Sequence, residues 1–228
     1  MHRPVPVWLW LLALLWLIAL AASFFGPADT LTWLLETGPV MIGLPVLALT
    51  FKRFPLTPLL YGLIFVHGLI LILGGAYTYA EVPPGFWVRD LFGLERNHYD
   101  RLGHLAQGAM PAILAREILL RRTPLRPGAW LFVICVSIPL AFSAFYEMIE
   151  WWAAVALDQG ADAFLGTQGD EWDTQWDMFL AMIGAIAAQL MLGRWHDKQL
   201  ATATGADAQS GKALSLPLER HNNAVEED

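Results

Sequence analysis

The stretch Val7-Trp8-Leu9-Trp10-Leu11-Leu12-Ala13-Leu14-Leu15-Trp16-Leu17-Ile18-Ala19-Leu20-Ala21-Ala22-Ser23-Phe24-Phe25 contains no charged residue. A helix needs about 20 apolar residues to cross the hydrocarbon core of a bilayer, so this segment reads as a membrane span. The rest of the chain agrees. Of its 228 residues 56% are hydrophobic and 15% charged, with a mean hydropathy of +0.46, whereas a soluble domain carries about 25% charged residues. Further apolar blocks give six spans, at about 7–25, 33–51, 58–79, 102–120, 129–153 and 176–193. The fold class is therefore all-α, a polytopic bundle of about six transmembrane helices within residues 1–198. Residues 199–228, with Ala-Thr-Ala-Thr-Gly and Val-Glu-Glu-Asp, read as a disordered tail by composition. Pro39, Pro45 and Pro139 fall inside spans as expected kinks, because neighbouring helices can re-satisfy the freed backbone groups.

Arg3 before the first span, and Ala19-Leu20-Ala21-Ala22-Ser23 at its end, also have the look of a secretory leader. The apolar core of a leader runs about 7–15 residues, shorter than this one, so the segment is read as retained. Lys and Arg then set the orientation. A cytoplasmic N-terminus puts Arg3, Lys52, Arg53, Arg116, Arg121, Arg122, Arg126, Arg194 and Lys198 at cytoplasmic ends or loops, together with Lys212 and Arg220 of the tail. Only Arg89, Arg96 and Arg101 remain outside. Both termini are accordingly expected in the cytoplasm, and the localisation is a bacterial inner membrane. A net charge of −7 and the lack of a basic aromatic stripe exclude nucleic acid as a partner. Cys135 is the single cysteine, so no intrachain disulfide forms. Gly166-Thr167-Gln168-Gly169-Asp170 lacks the lysine of a phosphate loop, and nucleotide binding is rejected.

Three apolar segments carry ionisable groups near one end. Asp100 and His104 open the fourth span, Glu147 and Glu150 close the fifth, and Asp173 and Asp177 open the sixth. Such groups cost roughly 2.5–3.5 kcal/mol each at the centre of a bilayer helix and so need a reason. Spacings of i,i+3 and i,i+4 put each pair on one helix face, and the topology puts all six on the outer side. Gln107 continues the Asp100–His104 face, Asp170 extends that of Asp173–Asp177, and Glu36 stands at the same level. Three chemistries fit. The set can hold a divalent metal on His104, Glu147, Glu150 and Asp177. It can move protons among crowded carboxylates. It can also pair with Arg89, Arg96 and Arg101 and merely close the bundle.

Other features read as structural. Glu117, beside Arg116 and i,i+4 from Arg121, is expected on an interfacial salt-bridged face worth a few tenths of a kcal/mol. His67 is expected to hydrogen-bond to a neighbouring helix. Trp8, Trp10, Trp87, Trp130, Trp151, Trp152, Trp172, Trp176 and Trp195 form an aromatic belt at the span ends, and Gly184 allows close helix packing. Pro83-Pro84-Gly85-Phe86-Trp87-Val88-Arg89-Asp90-Leu91-Phe92 reads as a short interfacial helix that roofs the outer site.

Tyr99-Asp100-Arg101-Leu102-Gly103-His104, Ser143-Ala144-Phe145-Tyr146-Glu147-Met148-Ile149-Glu150-Trp151 and the run Phe164 to Met178 closely resemble the YjdF family of bacterial inner-membrane proteins. The resemblance spans nearly all of residues 5–195 and implies a multi-pass inner-membrane protein; it implies no activity. A weaker likeness is to VanZ-type membrane proteins, associated with resistance to glycopeptide antibiotics. Asp100, Arg101 and His104 fit their Asp-Lys/Arg-x-x-His element, and Glu147 fits Glu-x-x-Gln with Glu150 at the Gln position. Asp177 and Gly184 fit Asp-x-x-x-Asn-x-x-Gly, but Ala181 stands where the Asn would be. That likeness implies a shared outward polar site and no shared substrate.

The sequence thus points to an outward-facing carboxylate and histidine pocket that binds or acts on a lipid-linked or amphiphilic envelope molecule. The alternatives are a proton-coupled small-solute transporter and a structural protein with a salt-bridge network. Asp100, His104, Glu147, Glu150, Asp173 and Asp177 are the candidate catalytic groups, with Asp100 orienting His104. Gln107, Arg101, Tyr146, Thr167, Gln168 and Asp170 are the candidate substrate-binding groups.

Overall fold

A computed structural model describes residues 4–157 and 169–214, with 204–214 traced by backbone alone. Among these residues there are seven α-helices and no strand. They are α1 (Val7–Phe24), α2 (Thr30–Thr50), α3 (Pro58–Tyr77), α4 (Pro83–Phe92), α5 (Tyr99–Arg122), α6 (Ala129–Leu157) and α7 (Asp173–Leu214). A 3-10 turn at Tyr79–Glu81 joins α3 to α4. Asp29 starts α2 by accepting a hydrogen bond from Thr32 N at 2.7 Å, and that bond holds its carboxyl below the usual carboxylate range. Pro39, Pro45, Pro111 and Pro139 all lie within continuous helices.

Five helices (α1, α2, α3, α6 and α7) are long and apolar enough to cross a membrane. By composition α5 is too polar, yet it spans the same depth. Near its start, Tyr99 donates its hydroxyl hydrogen bond to Ile70 O late in α3. Near its end, Glu117 accepts from Thr57 N, just before α3. The helix therefore runs antiparallel to α3 along nearly its whole length. It runs parallel to α7, since His104 meets Asp177 near the start of both and Arg116 meets His196 further along. Gln189 donates to Phe132 O, which sets α6 antiparallel to α7. Against α3, α1 is parallel, with Trp8 by Tyr61 and Trp16 Nε1 donating to Phe65 O. Six helices thus alternate in direction. Because α5 is enclosed by α3, α6 and α7, its polar side chains face protein and not lipid, which is where such groups are tolerated.

Packing supplies the cohesion, since lipid tails are as apolar as leucine and offer no hydrophobic drive between helices. Trp16, Val40 and Ile72 join α1, α2 and α3; Leu60, Ile113 and Ala188 join α3, α5 and α7. Ala115, Leu131 and Cys135 join α5 to α6. The closest seam is between α5 and α7. A Cβ on Gly108 would strike the Ala181 carbonyl, and one on Gly184 would strike the Leu105 carbonyl. Gly184 therefore serves the close packing expected of it. Ala181 is fully buried there.

Helix α7 runs on past the sixth span to Leu214, with Gln199 accepting a hydrogen bond from Leu59 N at 2.9 Å and Leu200 buried. Residues 215–228 lie outside the described residues. Two expectations need correction. Glu117 is not on an interfacial face but fully buried. It pairs with Arg121 at 2.8 Å as its spacing implied, and also accepts from Thr57 Oγ1 at 2.7 Å and pairs with His196 Nε2 at 3.0 Å. His196 in turn meets Arg116 at 3.0 Å, and Arg116 pairs with Asp197 at 2.7 Å. Interior placement of α5 turns what looked like a local surface pair into a three-helix knot. His67 is buried, but its Nε2 has no hydrogen-bond partner among the described residues.

Breaking one member of a buried ionic network costs about 3–5 kcal/mol because its partners stay buried without compensation. Glu117→Ala is therefore expected to lower the detergent melting temperature sharply. Gly184→Val should do the same by overpacking, about 1–3 kcal/mol or more. Gly43→Ala, with open space around its Cβ, should be neutral or slightly stabilising in the same thermal melt.

Candidate functional site

At the opposite end of the bundle from Glu117, the first turns of α5 and α7 and the second half of α6 bring their ionisable residues together. The α5–α7 seam at Gly108 and Gly184 sets the spacing of the two helices below them. His104 Nε2 lies 3.5 Å from Asp100, 3.7 Å from Asp177 and 4.0 Å from Glu147. His104, Glu147 and Asp177 are all buried. His104 Nδ1, Glu147 Oε1 and Asp177 Oδ1 have no hydrogen-bond partner among the described residues, and the same holds for Ser143 Oγ one turn below Glu147. Ser143 falls inside the second quoted motif, on the Glu147 face at i−4, but a lone serine in an apolar span gave no reason to single it out.

A second layer lies over this inner group. Arg96 pairs with Asp173 at 2.8 Å and with Asp170 at 3.1 Å. Arg101 pairs with Asp170 at 3.3 Å and stands over the Trp176 ring at 5.2 Å. The two arginines also sit beside His98, which burial and their positive charge hold below the usual imidazole range. The salt-bridge reading therefore describes the outer acids. The ion pairs of Asp100, Glu147 and Asp177 run instead to His104.

Glu36 enters from α2 and accepts hydrogen bonds from Tyr79 and Tyr146. Tyr79 was not foreseen. Its ring fills a slot cut by two glycines, because a Cβ on Gly74 or Gly103 would collide with it. Thr78, the one non-glycine residue with positive φ among those described (φ 52°), turns the chain to place it. Burial beside Glu36 raises the Tyr79 phenol well above its ordinary range, so it stays a hydrogen-bond donor at neutral pH. The available signal was Gly103 within Tyr99–His104, since a glycine between two helix-forming turns marks a close approach.

Of the other expected residues, Glu150 lines the mouth of a pocket of about 470 Å³ between α6 and α7, along with Glu147, Asp173, Thr174, Met148 and Trp151. That volume suits a ligand site, typically about 300–1,000 Å³. Met148 and Trp151 in its wall are exposed among the described residues. Gln107 lies one turn beyond His104 on α5, away from the mouth. Thr167 and Gln168 lie outside the described residues. Helix α4 forms over the expected residues, pinned where Asn97 donates to Val82 O at 3.0 Å and lies against Gly85. Its contacts run to the 3-10 turn, and Trp87, Leu91 and Phe92 point outward, so it flanks the α3–α5 end and does not roof the α6–α7 opening.

Gly103→Ala should displace Tyr79 and cost about 1–3 kcal/mol. Tyr79→Phe, which removes only the bond to Glu36, should cost about 1 kcal/mol. Thermal melts of the two variants in detergent give the comparison, and an unaffected Gly103→Ala protein would contradict the slot.

A family described as "Predicted membrane protein (DUF2238)" matches residues 8–198, an interval that holds every ionisable group of the site. Over 172 residues the chain is 55% identical to "Inner membrane protein YjdF" of Escherichia coli (strain K12), covering 75% of this chain and 82% of that protein. No solved structure matches.

Proposed function

The chain belongs to the DUF2238 family of membrane proteins and is a multi-pass protein of the bacterial inner membrane, and on that premise we propose that its acidic end faces away from the cytoplasm and holds the polar end of an amphiphilic envelope molecule. The observation that carries this reading is the pocket between α6 and α7, in which carboxylates and exposed apolar side chains share one wall. Glu147, Glu150 and Asp173 supply the carboxylates, and Met148 and Trp151 the exposed apolar surface. A molecule lying in the outer leaflet can slide its head group in and leave its chains in the bilayer.

The orientation follows from charge. Lys52, Arg53, Arg121, Arg122, Arg126, Arg194 and Lys198 gather at the Glu117 end, and cytoplasmic ends carry the basic excess. The site itself holds Asp100, Glu147, Glu150, Asp170, Asp173 and Asp177 against His104, Arg96 and Arg101. An acidic excess in a medium of low dielectric favours a cationic or hydroxyl-rich head group and disfavours a bare phosphate. Within such a site His104 is placed to give or take a proton. The transporter reading finds less support, because the polar cluster ends at the tight Gly108–Ala181 seam and at buried Ala112, Ile113 and Ala185.

Two measurements test this. In intact spheroplasts an impermeant maleimide should label Asp90→Cys and spare Lys198→Cys; the reverse pattern overturns the orientation. Protein extracted in native-membrane discs should retain an amphiphile with an amine or polyhydroxyl head group, detected by lipid mass spectrometry. Glu150→Gln and Trp151→Ala should deplete it several-fold, and lipid profiles identical to wild type would defeat the binding reading.

A further inference from the structure

The geometry points to a divalent-cation site formed by Asp100 and His104 of α5, Asp177 of α7 and Glu147 of α6. Spacing is the first argument. A hydrogen bond from an imidazole to a carboxylate is about 2.7–3.2 Å long. The oxygens of Asp100 and Asp177 stand 3.5 and 3.7 Å from His104 Nε2, too far for good hydrogen bonds. Two donors bound to one ion at about 2.0–2.2 Å each stand roughly 3–3.6 Å apart. Asp100 and Asp177 stand close to that spacing from His104, and one donor atom from each of the three lies within 4.8 Å of the others; Glu147 stands just outside that group, its Oε1 4.0 Å from His104 Nε2.

Unpartnered atoms are the second argument, independent of the first. Glu147 is 8% exposed and Asp177 is 4% exposed. Glu147 Oε1, the atom that faces His104 Nε2 at 4.0 Å, has no hydrogen-bond partner among the described residues. A buried carboxylate oxygen without a partner is costly, and buried charges are paired or bind metal. Arg96 and Arg101, the basic residues closest in sequence, are bound to Asp170 and Asp173. The inner acids therefore keep a negative charge that neither arginine balances, and a doubly charged ion does. One nitrogen and three carboxylate donors suit Mn²⁺, Fe²⁺ or Zn²⁺ better than a soft, thiolate-seeking ion. Parallel α5 and α7, locked by their glycine seam, fix Asp100, His104 and Asp177 in place, while Glu147 closes the set from the antiparallel α6.

The ion takes up the charge of Asp100, Glu147 and Asp177 and leaves Glu150 at the pocket wall to meet a head group, and its test uses no amphiphile. The full chain, purified in detergent, is stripped with a chelator, dialysed against Mn²⁺ or Zn²⁺ in separate arms, desalted and analysed by elemental mass spectrometry. About one ion per chain is expected in at least one arm, with a rise in melting temperature on loading. His104→Ala, and the nearly isosteric Asp177→Asn and Glu147→Gln, should each lower the affinity at least about tenfold and blunt the rise in melting temperature. Glu171→Gln, an exposed acid outside the group, should behave as wild type. If His104→Ala fails to fold, the two isosteric variants decide the matter. Metal content far below one per chain in both arms, or full retention by Asp177→Asn and Glu147→Gln, overturns the site and leaves the amphiphile reading standing.

Discussion

The structure depends on the contact between α5 and α7. These two helices run parallel, so they cannot be joined by a short loop and must be brought together across α6. Gly108 against Ala181 and Gly184 against Leu105 remove the side chains that would hold the backbones apart. Everything that looks functional hangs from this seam. Above it His104 reaches Asp177; beyond it Arg116 reaches His196. A small-residue interface of this kind relies on van der Waals fit, which suits a bilayer where apolar burial gains nothing.

The two ends of the bundle use the same residue types to opposite effect. At one end Glu117 has donors from Thr57, Arg121 and His196, and its network is closed. At the other end Asp100, Glu147 and Asp177 share one imidazole, with donor and acceptor atoms left over. The contrast matters for interpretation. Had every intramembrane acid been as fully satisfied as Glu117, a structural role would have sufficed for them all.

Much of this was legible in the sequence because the bilayer imposes long-range order. Hydropathy located α1, α2, α3, α5, α6 and α7, and alternation of direction placed Asp100, His104, Glu147, Glu150, Asp173 and Asp177 at one level. Spacing alone could not say which acids turn inward. Asp173 lies one turn before Asp177, yet it pairs with Arg96 from the loop before α5, a partner set by tertiary structure. His196 and Tyr79 were missed for the same reason, since their partners come from other helices.

The polarity of α5 also bears on how the protein is made. Asp100, Arg101, His104, Arg116, Glu117, Arg121 and Arg122 lie on one helix, and those away from its ends carry an insertion cost of roughly 2.5–3.5 kcal/mol each at mid-helix depth. During synthesis α5 emerges before α6 and α7, the helices that supply many of its partners. Released alone, it would meet lipid on faces meant for protein. Its stable integration is therefore expected to depend on partners from the helices on both sides of it in the chain, α3 before it and α6 and α7 after it.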